Sequence, residues 1–507
     1  MHDVESEASP TELKREFSLW SAFAFAFAFI SPIVAMYGIY GLSLATAGPG
    51  FWWTFVIVGT GQCIIALAFA ELVSRWPLEG SIYQWTKRLA GNVAGWLAGW
   101  VYMWALVIIM ATVAYGGAGF LAQLIGIEHP SAGQQSFIAL LILLAGSGVN
   151  ILGRTFLKVL MVGSIIAEII ASLGLSTYLL IFHRYHGFDA VLQGPDLVTG
   201  WSWAYLSGPF LAALAFTGWS ILGFESAGAI AEEVKDPRRN VPKAMVFAVS
   251  FLALVIAYAS LAVTLAVPDF DRITSGEEPD PVYYVLKNAL GESAVKPILF
   301  LFVIGFLASF LALQASASRV IWAYARDEAL PGSPVLKRLS RAEAQPVPAI
   351  LVTAVIGALV YLISATDVYS VLVTFTAGGY YLAFLFPLIT GLIVRLRGKW
   401  VPGPWNLGRF GTPVAILAVL WAGFEFLNIV WPRNVYDSWY TNWAFFVVMG
   451  LILAVGVLIL RTGRAHRSGE IPVDDQDSAA SIGTDSATEL LPEPAGESVV
   501  ESKRELA

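Results

Sequence analysis

Long apolar runs are the feature that most constrains how this chain can fold. Of its 507 residues, 57% are hydrophobic and 13% are charged, and the mean hydropathy is +0.69. Soluble domains carry about a quarter charged residues, whereas uncharged apolar runs of about 18 residues or more are typical of membrane-spanning helices. A transmembrane barrel would instead show alternating strands of about ten residues. The sequence therefore predicts an all-α polytopic membrane protein.

Twelve apolar runs can be separated along the chain, and we call them spans one to twelve. If the N-terminus is cytoplasmic, 25 of the 30 lysines and arginines fall on the cytoplasmic side. This is the asymmetry that the positive-inside rule expects, so we predict a plasma-membrane protein with both termini in the cytoplasm. The runs are Ser18–Leu44, Phe51–Arg75, Ala94–Gly126, Gln135–Ile151, Thr155–Phe182, Leu206–Glu232, Ala244–Val267, Pro297–Ala325, Pro348–Ser364, Val368–Ile393, Thr412–Trp431 and Trp443–Leu460.

The chain divides into four segments by composition. Residues 1–17 form a polar N-terminal segment, 18–394 hold the first ten spans, 395–461 hold the last two spans, and 462–507 form a tail. Ser468–Ala507 holds ten acidic and two basic residues, a net charge of −8, which leaves the remainder of the chain at +1 against a total of −7. Because the tail is also rich in Ser, Pro and Gly, we predict that it is disordered and cytoplasmic.

Span six has an interrupted pattern. The apolar run Phe210–Gly228 contains Thr217, Gly218 and Gly223, and a carboxylate follows at Glu225. These are poor helix formers, and non-helical backbone at membrane depth is tolerated only where it is buried in protein or lines a cavity. One interpretation is a broken helix that faces a ligand. The alternative is a kinked packing helix whose glycines let a neighbour approach closely.

Span one contains a second candidate interruption, Ile30-Ser31-Pro32-Ile33. Proline removes a backbone donor and clashes with the preceding turn, although a simple proline kink is the alternative. If spans one to five and six to ten are repeats, each repeat begins with an interrupted helix. Because each repeat crosses the membrane five times, an odd number, the second repeat starts on the opposite side, and the two repeats are inverted. Interrupted helices at corresponding positions of two halves mark the binding site of a transporter.

Three motifs resemble those of the amino acid–polyamine–organocation superfamily, and within it the amino acid/choline permease-like branch. They are Gly223-Phe-Glu-Ser-Ala-Gly-Ala-Ile-Ala-Glu-Glu-Val-Lys-Asp-Pro-Arg-Arg-Asn-Val-Pro-Lys-Ala244, Pro77-Leu-Glu-Gly-Ser-Ile-Tyr83 and Ala317-Ser-Arg-Val-Ile-Trp-Ala-Tyr-Ala-Arg-Asp-Glu-Ala-Leu-Pro331. The resemblance covers about Phe17 to Arg461. It implies a five-plus-five inverted repeat with broken helices one and six and two further helices. It also implies that substrate binds between helices one and six, although Ile30–Ile33 stands where many relatives have Gly-Ser-Gly.

The two interruptions together suit a zwitterion. Free backbone N–H groups attract anions and free carbonyls attract cations. We therefore expect a substrate carboxylate at Ser31–Ile33 and an ammonium group on carbonyls of Phe216, Trp219 and Leu222. The candidate substrate-binding residues are Ile30, Ser31, Pro32, Ile33, Phe216, Thr217, Gly218, Trp219, Leu222 and Gly223.

Three further side chains are candidates for gating or proton coupling. Trp219 resembles the gating aromatic of the arginine/agmatine exchanger branch, and Tyr115 of span three is a second candidate, with packing as the alternative for both. Glu225 lies at membrane depth, where a charge costs at least ~2.5–3.5 kcal/mol, so it stays protonated or finds a partner. It is a candidate proton carrier or inner gate, or else a hydrogen-bonded structural carboxyl. The same argument applies to Glu168 in span five.

The remaining composition narrows the class of function. A single cysteine, Cys63, rules out a disulfide framework and a cysteine metal cluster, and the five histidines fall in tails or loops, so we predict no metal and no cofactor. No catalytic constellation lies at membrane depth, so we predict no enzyme, and no nucleic-acid partner. The prediction is a secondary active transporter in the lipid bilayer. It moves an amino acid or related small amine by alternating access, and is proton-coupled or exchanging. A ligand-binding membrane sensor without net transport is the alternative, and sodium coupling stays open.

Overall fold

A computed structural model describes residues 18–153, 163–194, 201–278, 280–340, 344–362, 368–433 and 439–462. The predicted N-terminal segment 1–17 and almost the whole predicted tail therefore lie outside the described residues. Within the described ranges the chain is organised as packed helices, as the apolar runs predict.

Ten helices of the described ranges are long and apolar enough to cross a membrane. Two shorter apolar helices, Trp203–Thr217 and Val347–Val360, coincide with the predicted spans six and nine. The all-α polytopic fold is thus confirmed, while the count of twelve and the inverted repeat stay predictions. The long helices are Leu19–Tyr37, Pro49–Arg75, Asn92–Leu124, Ala132–Leu152, Gly163–Phe182, Pro237–Leu265, Pro281–Arg326, Tyr369–Leu396, Gly408–Val430 and Ala444–Arg461.

Burial separates the central spans from the peripheral ones. Span three, Asn92–Leu124, is buried over most of its length. Span twelve instead exposes large apolar side chains such as Leu451, Val455 and Leu458. A helix that is apolar all round is buried in the core or spans a membrane, so span twelve fits a lipid-facing position at the edge of the bundle.

Two glycines permit close approach between spans. A side chain at Gly61 of span two would overlap the indole ring of Trp421 in span eleven. A side chain at Gly99 of span three would overlap the ring of Tyr324 in span eight. Small residues let membrane helices approach closely in this way, and span eleven is thereby packed tightly against the core.

Span eight is preceded by a short helical segment across a kink at Gly291. The helix Pro281–Arg326 has one residue with non-helical backbone, Gly291, with φ 75° and ψ 167°. Nothing lies within 4 Å of the position of a side chain there, so only the backbone conformation calls for glycine. The segment before the kink starts at Pro281, beside the cavity described below.

At each end of the bundle, the loops that the alternation of spans places there contact one another. At one end, Lys87 lies 2.9 Å from Asp327, which joins the loops after spans two and eight. At the other end, Gln123 donates to Asp280 at 2.7 Å, joining span three to the loop before span eight. We call the first the inner end and the second the outer end, following the predicted orientation.

Candidate functional site

Span six is broken where its sequence predicts. The helix Leu211–Thr217 ends as the N–H of Gly218 donates to the Leu214 carbonyl at 2.8 Å, and helical structure resumes only at Ser226–Ala229. Gly223 has φ +104°, and a side chain there would also overlap the ring of Phe29 in span one. The predicted interruption is confirmed, and spans one and six meet at it.

Span one is broken at a single residue. Ser31 separates the helices Leu19–Ile30 and Pro32–Tyr37 and has φ 50° and ψ 113°. Its N–H donates to the Phe27 carbonyl at 2.8 Å, and its hydroxyl accepts from the N–H of Val34 at 3.2 Å. Positive φ is uncommon for a residue other than glycine. The serine side chain therefore caps a turn whose backbone would suit glycine better.

A carboxylate of the chain itself lies at this break. The Ser31 hydroxyl donates to Oε1 of Glu168, and the N–H of Ile33 donates to Oε2 at 3.0 Å. Glu168 is 1% exposed and comes from span five. The donors to which we assigned a substrate carboxylate are therefore held by Glu168 in this structure, while the assignment of the substrate site itself stays a prediction.

A cavity of about 850 Å³ opens at the outer end. It is lined by the second half of span one, the first half of span six and spans three and ten, and its rim includes Asp280 and Arg433. Of the predicted site residues, Tyr115 and Phe216 line it. The others are buried and lie outside its lining: Ile30, Ser31, Pro32, Ile33, Thr217, Gly218, Trp219, Leu222 and Gly223.

Trp219 belongs to the interrupted segment of span six and lies next to Gly38 of the cavity lining. A side chain at Gly38 would begin 3.6 Å from Cζ3 of Trp219 and 3.0 Å from the hydroxyl of Tyr369. Tyr369 donates to the Gly38 carbonyl at 2.9 Å and stacks on Tyr115, with the ring centroids 6.1 Å apart. The Trp219 indole N–H has no hydrogen-bond partner among the described residues. The Trp219 ring therefore lies close to Gly38, a residue that lines the cavity.

Glu225 lies beyond the break and is fully buried. Tyr102 of span three donates to its Oε1 at 2.9 Å, while its Oε2 lacks a partner among the described residues. The ring of Tyr380 packs against Tyr102 at 5.7 Å, and its hydroxyl is likewise without a partner in those ranges. Buried polar atoms are normally hydrogen-bonded, so this cluster has room for one more polar contact or for a proton.

Sequence reasoning missed a third buried carboxyl, Glu425 of span eleven. A side chain at Gly218 would begin 2.5 Å from its Oε1, so Glu425 lies directly behind the break in span six. Asn428 donates to Glu425 Oε2 at 3.4 Å, and Arg433 donates to Asn428 Oδ1 at 2.5 Å. A line of polar groups therefore connects the break to the rim of the cavity. An acid inside the apolar run Thr412–Trp431 was the available signal.

The inner end is closed by ion pairs. Arg319 Nε lies 2.8 Å from Oε1 of Glu233, and both side chains are buried. Arg326 lies 3.2 Å from Glu232. Asp327 accepts from the Tyr83 hydroxyl at 2.7 Å and from Lys87 at 2.9 Å. We call the residues Glu79, Tyr83, Lys87, Glu232, Glu233, Arg319, Arg326 and Asp327 the inner network.

Glu79 is the member of the inner network whose carboxyl oxygens are buried without a hydrogen-bond partner among the described residues. Its backbone N–H donates to Oε1 of Glu232 at 3.1 Å. Burial raises the pKa of Glu79 well above its usual range, the charges of Glu233 and Glu232 add to this, and Arg319 and Arg326 offset part of it. No group of three His, Cys, Asp or Glu side chains in the described ranges is arranged to hold a metal ion.

These features define a class of protein, a polytopic helical membrane transporter with two interrupted helices beside a cavity open at one end. The chain belongs to the amino acid permease family, whose model matches residues 17–454. It is 25% identical to amino-acid permease 2 of Neurospora crassa, over 93% of this chain and 89% of that protein. It is 26% identical to the amino-acid permease BAT1 of Arabidopsis thaliana, over 81% and 84% of the two chains.

A solved structure shares the fold. The chain superposes on a manganese transporter of Eremococcus coleocola with a TM-score of 0.57 and 17% identity, covering 92% of this chain and 99% of the other. At this identity the likeness bears on the fold alone. The predicted superfamily membership and the membership of an amino acid permease family are confirmed by the family match.

Proposed function

We propose that this protein is a secondary active transporter that moves an amino acid or related small amine across the plasma membrane by alternating access. The observation that carries the proposal is the contrast between the ends of the bundle. A cavity of about 850 Å³ reaches both interrupted spans from the outer end, whereas buried ion pairs close the inner end. One open and one closed end is the arrangement that alternating access requires around a central site.

Trp219 is the proposed barrier between the cavity and the binding region. It lies behind Gly38, and Tyr115 and Tyr369 form the stacked pair on the cavity side. A substrate that moves from the cavity to the break in span six must displace this ring. Its unpartnered indole N–H is available to a polar group of the substrate at that moment.

Glu225 is the proposed proton carrier. It is buried, its Oε1 is held by Tyr102, and its Oε2 is open to a proton. A buried carboxyl can lose its proton only when water or a charged partner reaches it. The inner network includes Glu232 and Glu233, a few residues after Glu225 in the chain. Opening of the inner end would therefore let water reach Glu225. Proton release is thereby tied to the inward-facing state.

Glu225→Gln tests the coupling. Purified protein in liposomes is given an inward proton gradient and a mixture of labelled amino acids. The wild type should accumulate substrate, and the glutamine variant should lose gradient-driven accumulation while keeping counterflow exchange. Glu128→Gln, which removes a carboxylate from the exposed outer loop, is the matched control and should behave as the wild type.

The experiment also separates transport from sensing. Wild-type protein that binds amino acids but neither accumulates nor exchanges them would be a sensor, and the proposed transport would be wrong. A Glu225→Gln variant that still concentrates substrate on the proton gradient would refute the proton-carrier role and leave transport intact.

A further inference from the structure

The loop between spans ten and eleven carries positive charge without any acidic residue. From Arg395 to Phe424 the sequence contains four basic residues and no aspartate or glutamate. Arg397, Lys399 and Arg409 are exposed, and none of them forms an ion pair with a described residue. These three side chains are therefore free to bind an anionic partner.

Basic residues of the loop after span eight are arranged differently. Arg326 lies 3.2 Å from Glu232, and Lys337 lies 3.3 Å from Glu328. The positive-inside rule accounts for basic residues at this end of the bundle in general, but it does not account for their being unpaired. The loop between spans ten and eleven thus differs from its neighbour in the charge that it leaves unmatched.

Large apolar side chains are exposed among these charges. Leu396, Val401 and Phe410 are 67%, 48% and 57% exposed, and the guanidinium of Arg409 lies 4.9 Å from the centroid of the Phe410 ring. The loop joins two membrane-spanning helices, so it lies where the bilayer meets water. Basic side chains beside apolar ones are typical of a protein surface that binds lipid at this level.

The loop is fixed to the inner end of span two. The N–H of Leu407 donates to Oε1 of Glu71 at 3.0 Å, and the N–H of Trp405 donates to Oγ of Ser74 at 2.8 Å. Arg395, at the end of span ten, forms an ion pair with the same Glu71. The exposed side chains are therefore presented by a backbone that is already held in place, which lowers the entropic cost of binding.

Two anionic partners could reach this loop. One is the tail segment 468–507 of the chain itself, which has a net charge of −8 but contains no aromatic residue and begins with Ser, Gly and Glu. The other is a phospholipid, which brings a negative head group and apolar chains to the same level of the bilayer. Only the phospholipid matches both the exposed basic and the exposed apolar side chains, so the loop favours lipid.

We propose that the loop 396–410 is a binding surface for anionic phospholipid. Its three exposed basic side chains bind the phosphate groups, and its three exposed apolar side chains lie against the acyl chains. In the predicted orientation the loop faces the cytoplasmic leaflet, where anionic lipids attract basic segments next to a membrane span. The inference goes beyond the proposed transport and does not rest on it.

Lipid titration of the purified full-length protein tests the proposal. The melting temperature in detergent is measured against added phosphatidylglycerol, with phosphatidylcholine and inorganic phosphate as comparisons, and native mass spectrometry counts the retained lipids. We expect only phosphatidylglycerol to raise the melting temperature. Replacement of the three exposed basic residues by glutamine should raise the half-maximal lipid concentration at least about tenfold, because each basic residue near an anionic surface strengthens binding about fivefold. This variant is Arg397→Gln/Lys399→Gln/Arg409→Gln.

A matched control removes the same charge from another inner loop. Lys235, Arg238 and Arg239 are exposed in the loop after span six, beside Asp236. The variant Lys235→Gln/Arg238→Gln/Arg239→Gln should keep the lipid dependence of the wild type. Equal losses in the two triple variants would show a general effect of charge and would refute the assignment to the loop 396–410.

Two further measurements separate lipid from the other anions. Phe410→Ser leaves the charge unchanged and should still raise the half-maximal lipid concentration at least about threefold, since it removes apolar contact with the acyl chains. Stabilisation by inorganic phosphate equal to that by phosphatidylglycerol would overturn the proposal. So would a melting temperature that falls on deletion of residues 468–507 in the wild type and not in the loop variant, because the tail would then be the partner.

Discussion

The two ends of the bundle are held in different ways. At the outer end the ion pair of Lys287 and Glu128 has both side chains exposed, at 37% and 45%, and lies in the same region as an open cavity. At the inner end the pair of Arg319 and Glu233 is 3% and 0% exposed. Exposed pairs contribute about 0–1 kcal/mol, whereas removing one partner of a buried pair costs about 3–5 kcal/mol. The buried ion pair therefore stabilises the closed inner end, whereas the exposed pair contributes little to the stability of the outer end.

The largest expected effect follows from breaking the buried pair. Glu233→Gln leaves the Arg319 guanidinium buried without its charged partner, so it should destabilise the closed inner end by about 3–5 kcal/mol. Hydrogen exchange of the segment 77–90 should rise strongly, and thermal stability in detergent should fall. Glu128→Gln makes the same chemical change at the outer end and should shift stability by less than about 1 kcal/mol. Equal effects of the two variants would contradict the comparison.

An intermediate effect should come from the pH dependence of the inner end. Because the pKa of Glu79 is raised in the closed state, its charged form opposes closure. The penalty is absent at pH values below the ordinary glutamate pKa, grows as the pH rises above that value, and is complete above the raised pKa. Acidification should therefore raise the protection factors at the inner end, after correction for the pH dependence of intrinsic exchange, and Glu79→Gln should be closed more firmly at neutral pH. A variant with the same pH profile as the wild type would show that Glu79 does not contribute.

The smallest expected effect lies at the cavity wall. Tyr369→Phe removes the hydrogen bond to the Gly38 carbonyl and keeps the stacked ring beside Tyr115. Loss of one such bond costs about 0.5–1.5 kcal/mol, so stability should change little while substrate affinity falls a few-fold. Stability and apparent affinity are measured on the same preparation. A loss as large as that of Glu233→Gln would mean that the outer wall is as rigid as the inner network.

Local sequence features were sufficient to predict the breaks. Ser31-Pro32 and the segment Gly218–Gly223 interrupt apolar runs with residues that disfavour helix, and the backbone departs from helix at both places. The span positions followed in the same way from apolar length, although the helix of span eight begins at Pro281 rather than Pro297 and the first helix of span six ends at Thr217. These features depend on neighbouring residues, and so a single sequence contains them.

Pairings across the chain could not be predicted. Glu168 and Ser31 are 137 positions apart, and Tyr102 and Glu225 are 123 apart, so no local pattern shows that they meet. The assignment of Ser31–Ile33 to a substrate carboxylate treated the donors there as free, because the partner was distant in sequence. Glu425, like Glu168, is an acidic residue within an apolar span. No local pattern, however, indicates that it lies next to Gly218.

The three motifs on which the family resemblance depends come together in the folded protein, which their sequences alone did not show. Glu79 belongs to the first in chain order, Glu233 to the second and Arg319 to the third, and the three meet in the inner network. These motifs are far apart in sequence. Their common role is therefore the closure of one end of the bundle.

The kink at Gly291 has a consequence for rates. The segment that begins at Pro281 borders the cavity, is joined to span eight through one glycine, and is tied to a neighbouring loop by the exposed Lys287–Glu128 pair. Its side chains Val282, Val285 and Leu286 are buried, so the segment is packed against the bundle and is not a free loop. We therefore expect it to move as a unit about Gly291, on the microsecond-to-millisecond scale of collective hinge motions. In the proposed transport cycle, the outer end would then open by rotation of this helix rather than by rearrangement of a loop.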